Sequence, residues 1–163
     1  MSDESADEHL LATLEEQERR LQLDSFEPDD AWYLGTLLVE LARERDLAVT
    51  VDVRRPGQVL FHVALAGTTP DNDVWVERKV RVVERFHASS YLVGRRLAAK
   101  GRTLGPDQGV DPALYAAHGG SFPVRVRGAG VVGSVTVSGL PQADDHALVV
   151  EALERLLAAG SAS

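Results

Sequence analysis

A chain of 163 residues with 44% hydrophobic and 26% charged residues can bury one sizeable core and reads as a single globular domain, not a disordered or fibrous chain. The absence of cysteine excludes disulfides, thiolate metal sites and cysteine nucleophiles, and no apolar run approaches the ~18 residues of a membrane span. The net charge of −8 speaks against the basic footprint of nucleic-acid binding, and the acidic start MSDESADEHLL speaks against an export signal, so a reducing cytoplasm is the expected location.

The acidity is concentrated at the N-terminus, where residues 1–30 hold eleven acidic side chains against two basic ones. Residues 1–8 read as a disordered acidic tail and 9–160 as one domain. Leu10, Leu11, Leu14, Glu18 and Leu21 then trace a mostly apolar helical stripe from about Asp7 to Leu23. Pro28, Asp29 and Asp30 open a second helix with a stripe of Ala31, Leu34, Leu38, Leu41 and Ala42, in which Gly35 implies a close neighbour.

From Ala48 the period changes to two. Val49, Val51 and Val53 alternate with Thr50 and Asp52, Pro56-Gly57 turns the chain, and GQVLFHVAL returns as the second strand of a hairpin. A helix from about Asn72 to Phe86 follows, and Ser89 caps another that ends at Gly101. Residues 78–102 carry eight basic side chains against Glu84 alone, which reads as a solvated helical face. Residues 102–119 form a long loop with one helical turn around Ala113–Ala117, and loops of this length in compact domains are often functional. A second hairpin runs from Phe122 through Gly128-Ala129-Gly130 to Ser138, and a final helix from about Asp144 to Ala159. The order α-α-β-β-α-α-β-β-α predicts an α+β fold with a largely antiparallel sheet of two hairpins flanked by helices.

Three groups of residues are candidates for chemistry. If the hairpins are neighbours, Thr50, Asp52, His62, Arg125, Ser134 and Thr136 share a polar sheet face and can line a pocket; the alternative is that they meet solvent or bond to helix ends. His118 precedes Gly119 and Gly120, which let a backbone approach a ligand closely, and Tyr115 lies three residues earlier; either side chain can coordinate a haem iron. His146 follows Asp144 and Asp145, a stretch that helix capping explains without a catalytic pair. The five histidines lack the spacing of a helical zinc pair, no serine sits in a nucleophile elbow, and no nucleotide-binding glycine motif joins a strand to a helix.

The stretches DAWYLG (30–35), GQVLFHVALAGTTPDNDVWVERK (57–79), HGGSFPV (118–124) and GSVTVSGLPQADDH (133–146) resemble an uncharacterised family of heme-degrading domain-containing proteins. That family is similar to the GlcG and HbpS proteins and to the C-terminal domain of PduO-type corrinoid adenosyltransferases. The resemblance spans about Leu10 to Leu157 and implies profilin-like α-β-α layers and assembly into homo-oligomers. It also implies a haem or related tetrapyrrole ligand, with His118 the foremost ligand candidate; Tyr115, Gly119, Gly120, Arg125, Asp52 and His62 are further candidate binding residues from the loop and sheet-face readings above. A small-molecule-binding oligomer is the leading reading; a haem-degrading enzyme and a non-catalytic scaffold are the alternatives, and neither nucleic acid nor membrane is expected as a partner.

Overall fold

Alternating valines build the centre of the molecule. In the computed structural model, which describes residues 3–161, the elements run α1 (Asp3–Arg20), β1 (Gln22–Leu23), α2 (Pro28–Glu44), β2 (Thr50–Arg55), β3 (Gln58–Ala64), α3 (Pro70–Phe86), α4 (Ser90–Ala99), a 3₁₀ turn (Pro106–Gln108), β4 (Ser121–Val126), β5 (Gly130–Ser138) and α5 (Gln142–Ser161). The sheet order is β1-β4-β5-β2-β3, so the two hairpins lie side by side and join through the antiparallel pair β2–β5. Register then sorts the side chains into rows. Phe122, Val135, Val53 and Phe61 form an apolar row across four strands, and one residue along each strand Ser121, Thr136, Asp52 and His62 form a polar one on the opposite face.

Helices α2 and α5 cover the apolar face, bringing Leu34, Leu38, Leu41, Leu148, Val149 and Leu153 into one cluster with the sheet valines. Each fully buried leucine contributes roughly 1.5–3 kcal/mol. The glycine anticipated to mark a close neighbour does so: a Cβ on Gly35 would lie 2.2 Å from the Phe61 ring. The α2 entry is fixed by Asp30, whose carboxylate accepts the Glu27 N–H at 2.7 Å.

Helix α3 covers the polar face, and α1 and α4 pack beside it through Leu14, Val82, Tyr91 and Leu92. The expected wet sheet face is therefore buried: Thr50, Asp52, Ser121, Ser134 and Thr136 are all inaccessible, because these short side chains leave room for Val76, Val80 and Val83 to pack down on them. The architecture is the expected α-β-α sandwich.

Two boundaries differ from the sequence reading. The first helix stops at Arg20, and Gln22–Leu23 instead form β1, parallel to β4, so the sheet has an edge strand beyond its two hairpins. Leu21 continues the helical leucine stripe past the end of α1, and two residues are too few to show an alternation, which hides the strand. The same helix begins at Asp3, so residues 3–8, expected to be a disordered tail, are helical, with Asp3 and Glu4 placed where the helix dipole favours carboxylates. Among the described residues no helix is long and apolar enough to cross a membrane.

Candidate functional site

With Val76, Val80 and Val83 turned to the sheet, helical spacing sends Asp73 and Glu77 to one flank of α3 and Trp75, Arg78 and Lys79 to the other. The sequence candidates are divided by this helix.

On the first flank, Asp52 is wholly buried beneath a net of charges. Arg54 donates through Nε and Nη2 to the two Asp52 oxygens at 2.7 and 2.8 Å, and through Nη1 and Nη2 to Glu77 at 3.0 and 2.7 Å. The hydrogen bond from Arg54 holds the Glu77 carboxyl below its ordinary value. His62 bridges two carboxylates, with Nδ1 at 2.8 Å from Asp52 Oδ2 and Nε2 at 2.6 Å from Asp73 Oδ1. Only the imidazolium donates through both nitrogens. Partial burial opposes that charge, but the hydrogen bonds and charges of Asp52 and Asp73 outweigh it and raise the His62 pKa. Asp52 and His62 are thus brought together, in a network whose members satisfy one another.

The second flank is unsaturated. The His118 ring meets the Trp75 ring edge-on at 5.3 Å, and the Arg78 guanidinium lies over that indole at 4.4 Å. Neither ring nitrogen of His118 has a hydrogen-bond partner among the described residues, and Arg78 Nε is buried without one. Burial, then the positive charges of Lys79, Arg78 and Arg95, lower the His118 pKa, so the imidazole is neutral near pH 7. His118 stands between two clefts. One, of about 330 Å³, is lined by Arg78, Arg95, Leu97, Arg102 and Tyr115; the other, of about 260 Å³, by Trp75, Lys79, Leu140, Gln142 and Asp145.

The loop carrying Tyr115 and His118 is fastened to α3 by the basic run. Arg78, Arg81 and Arg85 donate to the carbonyls of Pro112, Leu114 and Gln108 at 2.9, 2.9 and 3.2 Å, and Ala116 N–H donates to the Arg78 carbonyl. These arginines were expected to be a solvated face; three of them hold loop carbonyls instead. The helical turn sits slightly earlier than expected, with the Leu114 and Tyr115 N–H groups both donating to the Asp111 carbonyl.

Gly119 and Gly120 are needed for close packing. Gly119 N–H donates to Gln142 Oε1 at 3.0 Å, and a Cβ there would stand 2.2 Å from the Gln142 carbonyl. Gly120 has φ +140°, and a Cβ would fall 2.3 Å from Val137 O and 2.6 Å from Lys79 Nζ. The glycines therefore make room for the start of α5 and for a lysine that sequence reasoning missed. Lys79 is 3% exposed, donating from Nζ to Asp145 Oδ2 at 3.1 Å and to Val137 O at 3.3 Å. Burial lowers the Lys79 pKa and raises that of Asp145. The signal was available: Lys79 lies one turn from both Val76 and Val83 on the buried stripe.

Two candidates lie elsewhere. Arg125, four residues along β4, pairs with Glu18 and donates to the His87 carbonyl, while Glu18 also accepts the Ser89 N–H at 2.6 Å. It clasps α1 and α4 to the sheet. His146 does not pair with its neighbouring aspartates; its Nε2 meets Gln17 Oε1 at 2.7 Å, its ring packs on Tyr91 and Phe122, and burial lowers its pKa to about 4.

Residues 26–154 match the profile of the family described as haem degrading protein HbpS-like. A UPF0303 protein of Streptomyces coelicolor is 64% identical over 147 residues, covering 90% of this chain and 93% of its own, and one of Rhizobium etli is 52% identical over 148 residues, covering 91% and 90%. Among solved structures, the Ybr137w protein superposes with a TM-score of 0.82 at 32% identity, covering 94% of this chain and 90% of its own. A complex of PduOC with haem superposes with a TM-score of 0.67 at 15% identity, covering 80% and 94%, which is a likeness of fold.

Proposed function

The chain belongs to the HbpS-like family of haem-degrading proteins, and from that premise we propose that it binds haem or a closely related tetrapyrrole in the cleft beside His118. The observation that carries this reading is the neutral, partnerless imidazole of His118 at the mouth of a cleft lined by arginines. Among the described residues no cluster of three or more histidine, cysteine, aspartate or glutamate side chains could hold a bare metal ion. A single imidazole suffices for a metal that a macrocycle already chelates.

The cleft's chemistry supports the fit. Leu97, Ala98 and Leu104 offer an apolar surface, and Arg78, Arg95 and Arg102 offer cations for the carboxylate side chains of a tetrapyrrole. At about 330 Å³ the cleft is at the small end of ligand pockets, and it would seat one edge of the macrocycle. When bound, haem would supply an iron that His118 could ligate; this chain's part would be to present His118 unprotonated, with Tyr115 on the same wall. Asp52, His62 and Arg125 play structural parts in this reading.

Self-association belongs to the same proposal. Strand β3 is a sheet edge with Val59 half exposed, and Trp32 stands 64% exposed against Phe61, an apolar edge that a second copy would cover.

Titration of the purified protein with ferric haem, followed by the Soret band, tests the ligand. Saturable one-to-one binding weakened about tenfold or more by His118→Ala is expected, a loss of about 1.4 kcal/mol; unchanged binding by that variant overturns the assignment. Adding a reductant, oxygen and catalase to the bound protein separates binding from the second reading, haem degradation, in which the Soret band is consumed.

A further inference from the structure

The second cleft, on the other side of His118, holds a feature that haem binding does not use. Its floor is the Lys79 amine, almost fully buried and yet part of the cleft wall, with Trp75 and His118 above it and the start of α5 beside it. A lysine is rarely buried unless paired, and this one has a single carboxylate, Asp145, at 3.1 Å and one carbonyl, Val137 O, at 3.3 Å. An ammonium has three donors, so one of its N–H groups has no protein acceptor. Asp145 is also held in place, since its two oxygens accept the N–H groups of Gly139 and Leu140 at 3.3 and 2.9 Å. The packing is built around this amine: a side chain at Gly120 would strike Nζ.

We infer that this cleft binds small uncharged aldehydes or ketones and that Lys79 condenses with them to form an iminium paired with Asp145. The step needs no co-reactant. The Lys79 ammonium passes a proton to Asp145 Oδ2, and the freed amine forms a C–N bond to the carbonyl carbon as the C=O π pair moves to oxygen. The nitrogen's extra proton passes to that oxygen, giving a neutral carbinolamine. Asp145 then returns its proton to the hydroxyl, water leaves, and the nitrogen lone pair closes the C=N bond. The site begins and ends with one positive nitrogen beside one carboxylate, so no charge is stranded in the buried pair. Burial, which disfavours the charged form of both partners, makes the first transfer accessible. The charge of the walls selects the substrate class: Asp71 adds a second carboxylate to the lining, so an uncharged carbonyl compound is favoured over a keto acid.

The chain supplies its own control, since Lys79 and the exposed Lys100 are its only lysines. The full-length protein, free of haem, is treated at pH 7 with acetaldehyde and cyanoborohydride, which reduces an iminium to a stable secondary amine, and the modified sites are read by peptide mass spectrometry. Lys79 is expected to be alkylated about tenfold faster than Lys100, because burial disfavours its ammonium and the Asp145 carboxylate stands ready to take the proton. Glyoxylate in place of acetaldehyde is expected to lower that ratio. Labelling of Lys79 no faster than Lys100, or only after unfolding in urea, overturns the inference and leaves a structural ion pair. Asp145→Asn is expected to slow Lys79 labelling and leave Lys100 unchanged, but the decisive ratio comes from the unaltered chain. Because no haem is present, failure here leaves the tetrapyrrole reading standing.

Discussion

The two flanks of α3 hold similar inventories of charge and use them in opposite ways. On one, Asp52, Arg54, His62, Asp73 and Glu77 satisfy one another through six hydrogen bonds. On the other, His118 has two free ring nitrogens, Arg78 a buried partnerless Nε, and Lys79 a spare N–H, all beside open clefts. A saturated network locks β2, β3 and α3 together; groups left unsatisfied at a cleft are those with bonds still to offer a ligand. The lesson is that charge density alone does not mark a site.

The largest predicted effect falls on the saturated flank. Asp52→Ala removes the acceptor for both Arg54 and His62 at a position with no solvent access, and should destabilise the protein by about 3–5 kcal/mol in urea unfolding. A loss under 1 kcal/mol, about the value of an exposed ion pair, would break the contrast between the flanks.

Next in size is an acid effect from His146, a histidine buried without any carboxylate. Its folded pKa, about 4, lies below the unfolded value of about 6.5, so the unfolded chain binds the extra proton between those values and stability falls as pH drops through that window. The loss is on the order of 3 kcal/mol, and His146→Phe should flatten that part of the stability profile.

His62 and His118 sharpen the comparison because they shift in opposite directions. The His62 pKa is raised, so its stabilisation is full below about 6.5 and disappears as pH rises through its higher folded value; that of His118 is lowered, and its neutral form prevails at pH 7. Two-dimensional NMR of the imidazole nitrogens across pH 5–9 should show His118 titrating at lower pH than His62, and the reverse order would exchange their roles. The smallest effect on stability is expected from His118→Ala, within about 1 kcal/mol of the parent, since the ring has only its edge-on contact with Trp75 to lose.

The architecture was legible in the sequence because period two, helical stripes and caps are strong signals in this chain: both hairpins, all five helices and the close contact at Gly35 follow from them. The two-residue β1 was not, because Leu21 carries on the helical stripe and two residues are too short to show an alternation. A long loop and a Gly-Gly pair drew attention to His118, Tyr115 and the glycines, and the structure puts His118 and Tyr115 on the wall of one cleft, but the division of the candidate residues by α3 was not legible. Asp52 and His62 lie on the same sheet face as Ser121, next to Gly120, and nothing in a linear pattern says that a helix will cross between them. Lys79 and Arg125 were misread for one reason: a cation was assigned to solvent or to a ligand, when a buried acid, Asp145 or Glu18, was its partner.

The two tryptophans allow the most direct test of where the ligand binds, because Trp75 touches His118 whereas Trp32 lies on α2, on the opposite side of the sheet. Ferric haem broadens nearby NMR signals, so the indole N–H resonances can be followed as haem is added in sub-stoichiometric steps. Selective loss of the Trp75 signal, abolished by His118→Ala, is the result predicted; loss of the Trp32 signal with Trp75 unaffected would contradict the account.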